Sequence, residues 1–391
     1  MVYAGTMQFP MVSMDFLNLL YLPLMVLTGV DARKNWSSIW DAQLTWRDCQ
    51  ALQKIVLFLL IPVVVLGHEL GHVAAIKLFG GQVAEFHYAL FWGYVVPRGT
   101  FTAPQLVWAF LAGSLVQVMI GIAAIASAIF VRSPPVVALL IYLGLWSIGG
   151  TVVVYALLSL TGLYGDWVAI YTAPVPGLVI GIAIVHVALI AFVVWCLYAT
   201  TARVWFTGKT HPRWIEEQVS LWAAVTNQPS AGNWINLAWS YYNVNINGKS
   251  LECLRHAKEL DPHSAEIEML EGALAYRKGD LATAMRCFRA LAARDDVSPQ
   301  LRSRALLALG GCQVKSRQLE KALEIYDKAI EADPTVADAY FFKAMLLADA
   351  KRYDEAAAVL GTALRLNWVD STLADAAIAE LKAITKRVVK K

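Results

Sequence analysis

LQKIVLFLLIPVVVLGHELGHVAAIKLF, residues 52–79, is the segment from which the architecture of the N-terminal half follows. Its apolar run exceeds the ~20 residues that a helix needs to cross the hydrocarbon of a bilayer. Three ionisable side chains, His68, Glu69 and His72, interrupt that run. Such groups inside a membrane span are costly unless they are paired or bind a metal. The segment therefore predicts a membrane helix that carries a functional site.

These polar residues form the pattern H-E-x-x-H. Residues i and i+4 share one face of a helix, so His68 and His72 can bind a single Zn²⁺ ion. Glu69 can accept a proton from water that the metal makes acidic. We expect one zinc per chain. The alternatives are a polar helix face without metal and a metal-free descendant of an enzyme.

A catalytic zinc usually has three protein ligands, so one more is needed. Asp166 is the only acid between residues 86 and 202, and it lies in the glycine-containing break TGLYGDW. We predict Asp166 as the third ligand, with Glu85 as the alternative ligand and a solvated loop aspartate as the alternative role for Asp166. His186, also within an apolar run, is expected to be a neutral histidine that hydrogen-bonds between helices, a reserve ligand or a substrate contact being the alternatives.

Charge is unevenly distributed along the 391 residues. Residues 1–200 contain 14 charged side chains, and residues 201–391 contain the other 49. A hydrophobic share of 58% with a charged share of only 16% excludes a disordered chain, a coiled coil and an ordinary soluble enzyme. The net charge of +3 is too small to indicate a nucleic-acid partner. The first half is therefore expected to lie in lipid and the second in water.

Three further stretches contain no charged residue, and each is long enough to span a bilayer. They predict spans near 105–131, 136–160 and 175–200, in addition to 52–79. Residues 11–30 contain Asp15, Asn18 and Pro23, and predict either a fifth span or an interfacial helix. We expect an all-α fold: a polytopic bundle of four or five transmembrane helices, followed by a soluble solenoid.

The membrane half resembles the site-two protease family of intramembrane zinc metallopeptidases over roughly residues 52–200. The shared features are GHELGH at 67–72, the following FGGQV, the motif AGSLVQ at 112–117, and Gly165-Asp166-Trp167, with Asp166 lying 94 residues after His72. This sequence has Gln117 where the family usually has Asn and Trp167 where it usually has Gly, and it lacks the N-x-x-P lead-in. The resemblance implies a substrate-binding role for Gly113, Ser114 and Gln117, a polar residue between helices being the alternative for Gln117, and a β-hairpin around 80–100 to which a substrate strand could be added.

From residue 231 the sequence is repetitive. Ala238, Gly272, Gly310 and Ala344 recur at spacings of 34, 38 and 34, and a second set of small residues keeps the same spacing: Ser250, Ala284, Ala322 and Ala356. A 34-residue helix–turn–helix period is typical of tetratricopeptide repeats. We predict four repeats and a capping helix over about 370–386, stacked into a solenoid that binds a protein or peptide partner.

The predicted domains are therefore an N-terminal apolar segment with a loop, a membrane core, a juxtamembrane linker and the repeats, at 1–50, 51–202, 203–230 and 231–391. Lysines and arginines near the span ends divide eight to two between the two faces, which predicts cytosolic repeats. The family pattern, with zinc nearer the cytosolic side, indicates the opposite orientation. Five cysteines without a C-x-x-C pair predict free thiols in a reducing compartment, and the start MVYAGTMQFP predicts no cleaved signal peptide.

Two functions follow from these patterns. The first is a multi-pass zinc endopeptidase that cuts a membrane protein substrate in or near its transmembrane segment, within the lipid bilayer, with repeats that recruit or regulate partners. The second is a non-catalytic, protease-like scaffold whose repeats hold other proteins together. Metal content discriminates between them, because a scaffold has no need of stoichiometric zinc.

Overall fold

The computed structural model describes residues 3–4, 16–41, 44–160 and 165–366, with single positions 368, 377, 378, 380, 381 and 384. The chain divides into two compact units, Met1–Glu216 and Glu217–Lys391. The structure is predominantly helical, as the predicted fold class requires.

Four helices of the first unit are long and apolar enough to cross a membrane: Arg47–Leu78, Ala103–Phe130, Pro134–Ser159 and Pro176–Tyr198. They coincide with the four predicted spans. Residues 16–34 form a further helix that is not among these four. The choice between a span and an interfacial helix for residues 11–30 stays open, and residues 11–15 lie outside the described ones.

The elements of the first unit are, in chain order, β1 (Tyr3–Ala4), α1 (Phe16–Lys34), α2 (Trp36–Ile39), α3 (Trp46–Ile55), α4 (Ile61–Leu78), β2 (Gln82–Ala89), β3 (Trp92–Arg98), β4 (Thr100–Phe101), α5 (Ala103–Phe130), α6 (Pro134–Gly149), α7 (Ala156–Leu160), α8 (Asp166–Tyr171), α9 (Pro176–Tyr198) and α10 (Thr200–Thr210). The next helix, α11 (Pro212–Asn227), contains the boundary between the two units. Two of the four long helices contain a π-helical turn, at Val56–Leu60 and at Gly150–Tyr155. The second of these is called the π turn below. Such wide turns are rare and frequently occur at functional sites.

Helices α4, α5 and α6 cross closely, and glycines permit the approach. A Cβ added at Gly71 of α4 would lie 2.8 Å from the carbonyl oxygen of Ala112 in α5. A Cβ added at Gly144 of α6 would lie 2.8 Å from the carbonyl oxygen of Gly121 in α5. In lipid, helices associate through such close packing because the hydrophobic effect does not drive them together. These crossings place α5 against the helix that carries the H-E-x-x-H motif.

A β-hairpin follows α4, as the family resemblance implies. Strands β2 and β3 are antiparallel, with a bulge between Val83 and Glu85. The turn contains Leu90 at φ 60°, a conformation unusual for a residue with a side chain. Strand β1 pairs with β4 in a separate two-stranded sheet. The hairpin is a small addition to an otherwise helical fold.

In the second unit, the described residues form four helix pairs: α12 (Ala231–Asn243) with α13 (Asn247–Leu260), α14 (Ala265–Lys278) with α15 (Leu281–Ala292), α16 (Pro299–Lys315) with α17 (Leu319–Ala332), and α18 (Ala337–Asp349) with α19 (Tyr353–Ala363). Their small repeat positions are buried, because each lies where two helices meet. At Gly310, an added Cβ would lie 2.2 Å from the Tyr326 ring. Most of the predicted capping helix over 370–386 lies outside the described residues.

Candidate metal centre

His68 and His72 lie one turn apart on α4 and are both buried. Asp166 is the first residue of α8, and one oxygen of its carboxylate, Oδ2, lies 3.2 Å from Nε2 of His68 and 3.2 Å from Nε2 of His72. Potential ligand atoms of the three residues all lie within 4.8 Å of one another. The structure thus brings together the three residues that the sequence predicts as ligands.

The other ring nitrogen of each histidine is engaged by α5. Nδ1 of His68 lies 3.1 Å from the amide oxygen of Gln117, and Nδ1 of His72 lies 2.7 Å from the carbonyl oxygen of Ala109. Because these oxygens only accept hydrogen bonds, each Nδ1 carries a proton. In a neutral imidazole, Nε2 is then a lone-pair acceptor that points at Asp166. Such contacts orient histidine ligands in metal sites.

Three acceptor atoms this close together require a shared cation, whether a metal ion or protons. Two nitrogens and one carboxylate oxygen are a donor set typical of catalytic zinc. Catalytic zinc sites have three protein ligands and a fourth coordination position for water or substrate. These three residues would leave that fourth position open. The residues present therefore fit a catalytic zinc ion.

Gly113 of α5 lies directly beside the two Nε2 atoms. A Cβ added there would lie 2.4 Å from Nε2 of His72 and 2.6 Å from Nε2 of His68. Only glycine, which has no Cβ, fits this position without displacing an imidazole. The next residue, Ser114, is 2% exposed and accepts a hydrogen bond of 3.0 Å from the Thr151 hydroxyl of the π turn.

These contacts bear on the substrate role that the family resemblance implies for Gly113, Ser114 and Gln117. Gln117 is buried against His68, and Ser114 joins α5 to the π turn. Both contacts favour a role for Gln117 and Ser114 in holding neighbouring side chains and helices in place. Substrate binding by these residues stays a prediction. Glu85, the alternative third ligand, is exposed on β2, where its carboxylate accepts a hydrogen bond from the Tyr94 hydroxyl, and it does not join the cluster.

Glu69 is 4% exposed, and its Oε2 atom has no hydrogen-bond partner in the described part of the chain. A Cβ added at Gly93 of strand β3 would lie 2.7 Å from Glu69 Cγ, so this strand packs closely on the Glu69 side chain. A buried carboxylate oxygen without a partner is costly, and proteins keep such atoms mainly where chemistry or an unseen water uses them. The hairpin therefore encloses the residue expected to act as a base.

Sequence patterns did not identify several residues around Asp166. The backbone amide of Asp166 donates to the Tyr155 hydroxyl at 3.0 Å, and the Trp167 indole donates to the carbonyl of Thr151 at 2.9 Å. Tyr155 belongs to no spacing pattern, and Trp167 stands out in the sequence only as the residue that replaces the family's usual glycine, without any indication of its contact with Thr151. A polar aromatic residue within an apolar run was the available signal for Tyr155. His186 hydrogen-bonds within the helix bundle and is not part of the three-residue cluster.

The repeat unit has a groove of about 520 Å³ along its first helices. Amide and aromatic side chains of α12 line it together with charged residues of both signs: Asn236, Trp239, Asn243, Asp261, Glu266 and Arg304.

Comparisons with known proteins find a family match within the second unit. The family described as "Tetratricopeptide repeat" matches residues 269–337 and 313–371. No match to the site-two protease family is found, and no curated protein matches the sequence.

Several solved structures are similar at low identity. They include Pseudomonas aeruginosa PilF (18% identity, 48% of this chain, 88% of that chain, TM-score 0.36), MamA (20%, 41%, 92%, 0.31) and yeast Tom70 (13%, 82%, 64%, 0.38). The family match shows tetratricopeptide repeats over residues 269–371, and such repeats are protein-interaction modules.

Proposed function

We propose that this protein is a membrane-embedded zinc endopeptidase that hydrolyses a peptide bond in or near a transmembrane segment of a partner protein. The observation that carries the proposal is the convergence of Nε2 of His68, Nε2 of His72 and the Asp166 carboxylate on one point. Its position beside buried Glu69, inside a bundle of helices that could span a membrane, supports the intramembrane setting.

His68, His72 and Asp166 would hold the zinc ion. When bound, zinc supplies Lewis acidity to water and to the scissile carbonyl group. Gln117 and Ala109 keep both histidines in the tautomer that offers Nε2 as a lone-pair donor. Gly113 keeps side-chain atoms out of the space that these nitrogens share.

Glu69 acts as general base and then general acid. Its carboxylate takes a proton from the attacking water and returns it to the leaving amine nitrogen. The burial of Glu69 by α4 and β3 keeps bulk water from competing for this proton. Proton transfer by a positioned side chain contributes roughly 10²–10⁴-fold in rate.

The substrate would add a strand to the hairpin. Strands β2 and β3 form a sheet of two strands in the described residues, so an outer edge can accept a third. A helix must unwind before a protease can reach its amide, and pairing with a strand edge stabilises the unwound form. Because β3 packs on Glu69 at Gly93, a strand held by this hairpin would pass close to the base.

The repeat unit would select or regulate the partner. Tetratricopeptide repeats present an extended surface for proteins, and the groove beside Trp239 lies on that unit. Chemistry and partner choice would therefore belong to different units of the chain.

The decisive experiment compares membranes from cells that express the wild type, Glu69→Gln or Glu85→Gln. Glu85→Gln is the matched control because it removes an exposed carboxylate of the hairpin. We expect a membrane-protein fragment with the wild type and the control that is missing with Glu69→Gln, together with about one zinc per purified chain. Unchanged fragments with Glu69→Gln, or no stoichiometric zinc, would contradict the proposal and favour the non-catalytic scaffold.

A further inference from the structure

Three aromatic rings stack where α8 meets α9. The Trp167 and His186 rings have centroids 4.0 Å apart with 23° between their planes, and the Tyr171 ring lies 6.0 Å from His186 at 12°. Trp167 and His186 are both less than 10% exposed. The stack joins the two ends of the six-residue helix α8 to the last span.

Both nitrogens of His186 are hydrogen-bonded. Nε2 lies 2.6 Å from the carbonyl oxygen of Val152, and Nδ1 lies 2.6 Å from the Tyr171 hydroxyl. Since a carbonyl only accepts, Nε2 carries the proton and Nδ1 accepts from Tyr171. This side chain thus connects the end of α8 to the π turn and has no lone pair left for a metal.

Three anchors of α8 end on the π turn. The amide of Asp166 donates to Tyr155, the indole of Trp167 donates to Thr151, and Tyr171 reaches Val152 through His186. Two of the acceptors are the carbonyl oxygens of Thr151 and Val152, and the third is the hydroxyl of Tyr155. The π turn also donates from Thr151 to Ser114 of α5.

We infer that Trp167, Tyr171 and His186 are positioning residues for Asp166, and that they lock its carboxylate at 3.2 Å from both histidine nitrogens. The inference depends on one part of the proposed function, namely that Asp166 is a zinc ligand. A helix as short as α8 is unstable by itself, so its orientation depends on these anchors. Loosening them frees the carboxylate while His68 and His72 keep their own partners, Gln117 and Ala109.

The test uses the full-length protein in lipid nanodiscs. The zinc dissociation constant is measured by competition with a chelator, and the visible absorption of the Co²⁺-substituted protein reports the ligand geometry. His186→Leu removes both hydrogen bonds, whereas His186→Gln retains an amide donor and an acceptor. We expect His186→Leu to weaken zinc binding about 10-fold or more and to change the Co²⁺ spectrum, and His186→Gln to restore most of both.

A second pair of variants makes smaller changes, so that a result does not depend on whether His186→Leu folds. Tyr171→Phe removes one hydroxyl group from the anchor, and Tyr198→Phe removes one from an exposed position of α9. We expect a severalfold loss of zinc affinity with Tyr171→Phe and no change with Tyr198→Phe.

Wild-type zinc affinity and an unchanged Co²⁺ spectrum in both His186→Leu and Tyr171→Phe would overturn the inference but leave the zinc site intact. A wild-type protein that binds no zinc would overturn the proposed function as well.

Discussion

Gly113 and Nε2 of His72 are in direct contact, so that a Cβ at position 113 would lie 2.4 Å from that nitrogen. This distance is far below any ordinary contact, and the neighbour on the other side, Nε2 of His68, is almost as near. The backbone of α5 therefore forms one wall of the candidate metal centre. A helix that carried a side chain here would have to move away from α4.

Replacing Gly113 by alanine should displace the histidines. We expect Gly113→Ala to weaken zinc binding by at least 10-fold, because the added methyl group occupies space next to both donor nitrogens. Gly181→Ala in α9 is the matched control, since no atom lies within 4 Å of its Cβ position. Chelator competition on both purified variants measures the difference. Equal affinities would refute the close packing of α5 on the histidines.

The assignment of Asp166 as the third ligand can be tested against the alternative ligand, Glu85. We expect Asp166→Ala to reduce zinc occupancy severely and Glu85→Ala to leave it unchanged, because only Asp166 lies within 3.2 Å of both Nε2 atoms. Metal analysis of detergent-purified protein is the measurement. The opposite ranking would transfer the ligand role to the hairpin.

Two adjacent glycines of α16 should respond differently to the same substitution. Gly310→Ala would place a methyl group 2.2 Å from the Tyr326 ring, whereas nothing lies within 4 Å of a Cβ at Gly311. We expect Gly310→Ala to destabilise the repeat unit by about 1–3 kcal/mol through overpacking. Gly311→Ala should be neutral or stabilising by up to about 1 kcal/mol, because it restricts the unfolded chain. Urea unfolding of residues 217–391 gives both values, and a reversed order would contradict the packing of Gly310 on Tyr326.

Alkaline pH should weaken the repeat unit. Burial raises the pKa of the Cys253 thiol to about 12 and that of Cys312 to about 11, from an ordinary value near 9. The unfolded chain loses these protons at lower pH than the folded one, so the stabilisation is fully present below about pH 9 and is lost as pH rises toward 11–12. We expect the free energy of unfolding to fall over that window, and to fall less in Cys253→Ala. A pH-independent difference between variant and wild type would contradict this assignment.

Substitution of Glu69 and deletion of the repeat unit should have opposite effects on cleavage and on partner binding. We expect Glu69→Gln to keep zinc and partner binding but lose nearly all cleavage, because it removes the proton acceptor and no ligand. Deletion of residues 217–391 should preserve cleavage of a generic unstructured membrane peptide and reduce cleavage of the native partner. Assays of both variants on both substrates measure the division. Should the deletion abolish both cleavages equally, the repeats would be required for more than partner selection.

The coarse architecture could be predicted because its signals are local. Long apolar runs, three of them without any charged residue, mark the four spans, and the 34-residue period marks the repeats. Asp166 was identifiable as a candidate because a lone acid between two long uncharged stretches has few structural roles there. Even the hairpin was expected, although only from the family resemblance.

The partners of the candidate ligands could not be predicted, because they depend on how separate helices cross. Ala109 contributes a backbone oxygen, which any residue has, and its contact with His72 spans 37 positions. The π turn has no sequence signature, so the anchoring of Trp167 on Thr151 was not foreseen. The same limit applies to His186, whose two partners come from α8 and the π turn.

The separation of Asp166 from the histidine pair has a consequence for biosynthesis. His68 and His72 lie on the first of the four helices that could span a membrane, but the carboxylate they face is translated 94 residues after His72 and belongs to a helix that ends at Tyr171. Its anchor on His186 is made later still. A nascent chain therefore carries the histidines well before the cluster can close. Under the proposed function, the site could bind zinc with all three ligands and begin hydrolysis only after Asp166 and the helix that carries His186 have been synthesised.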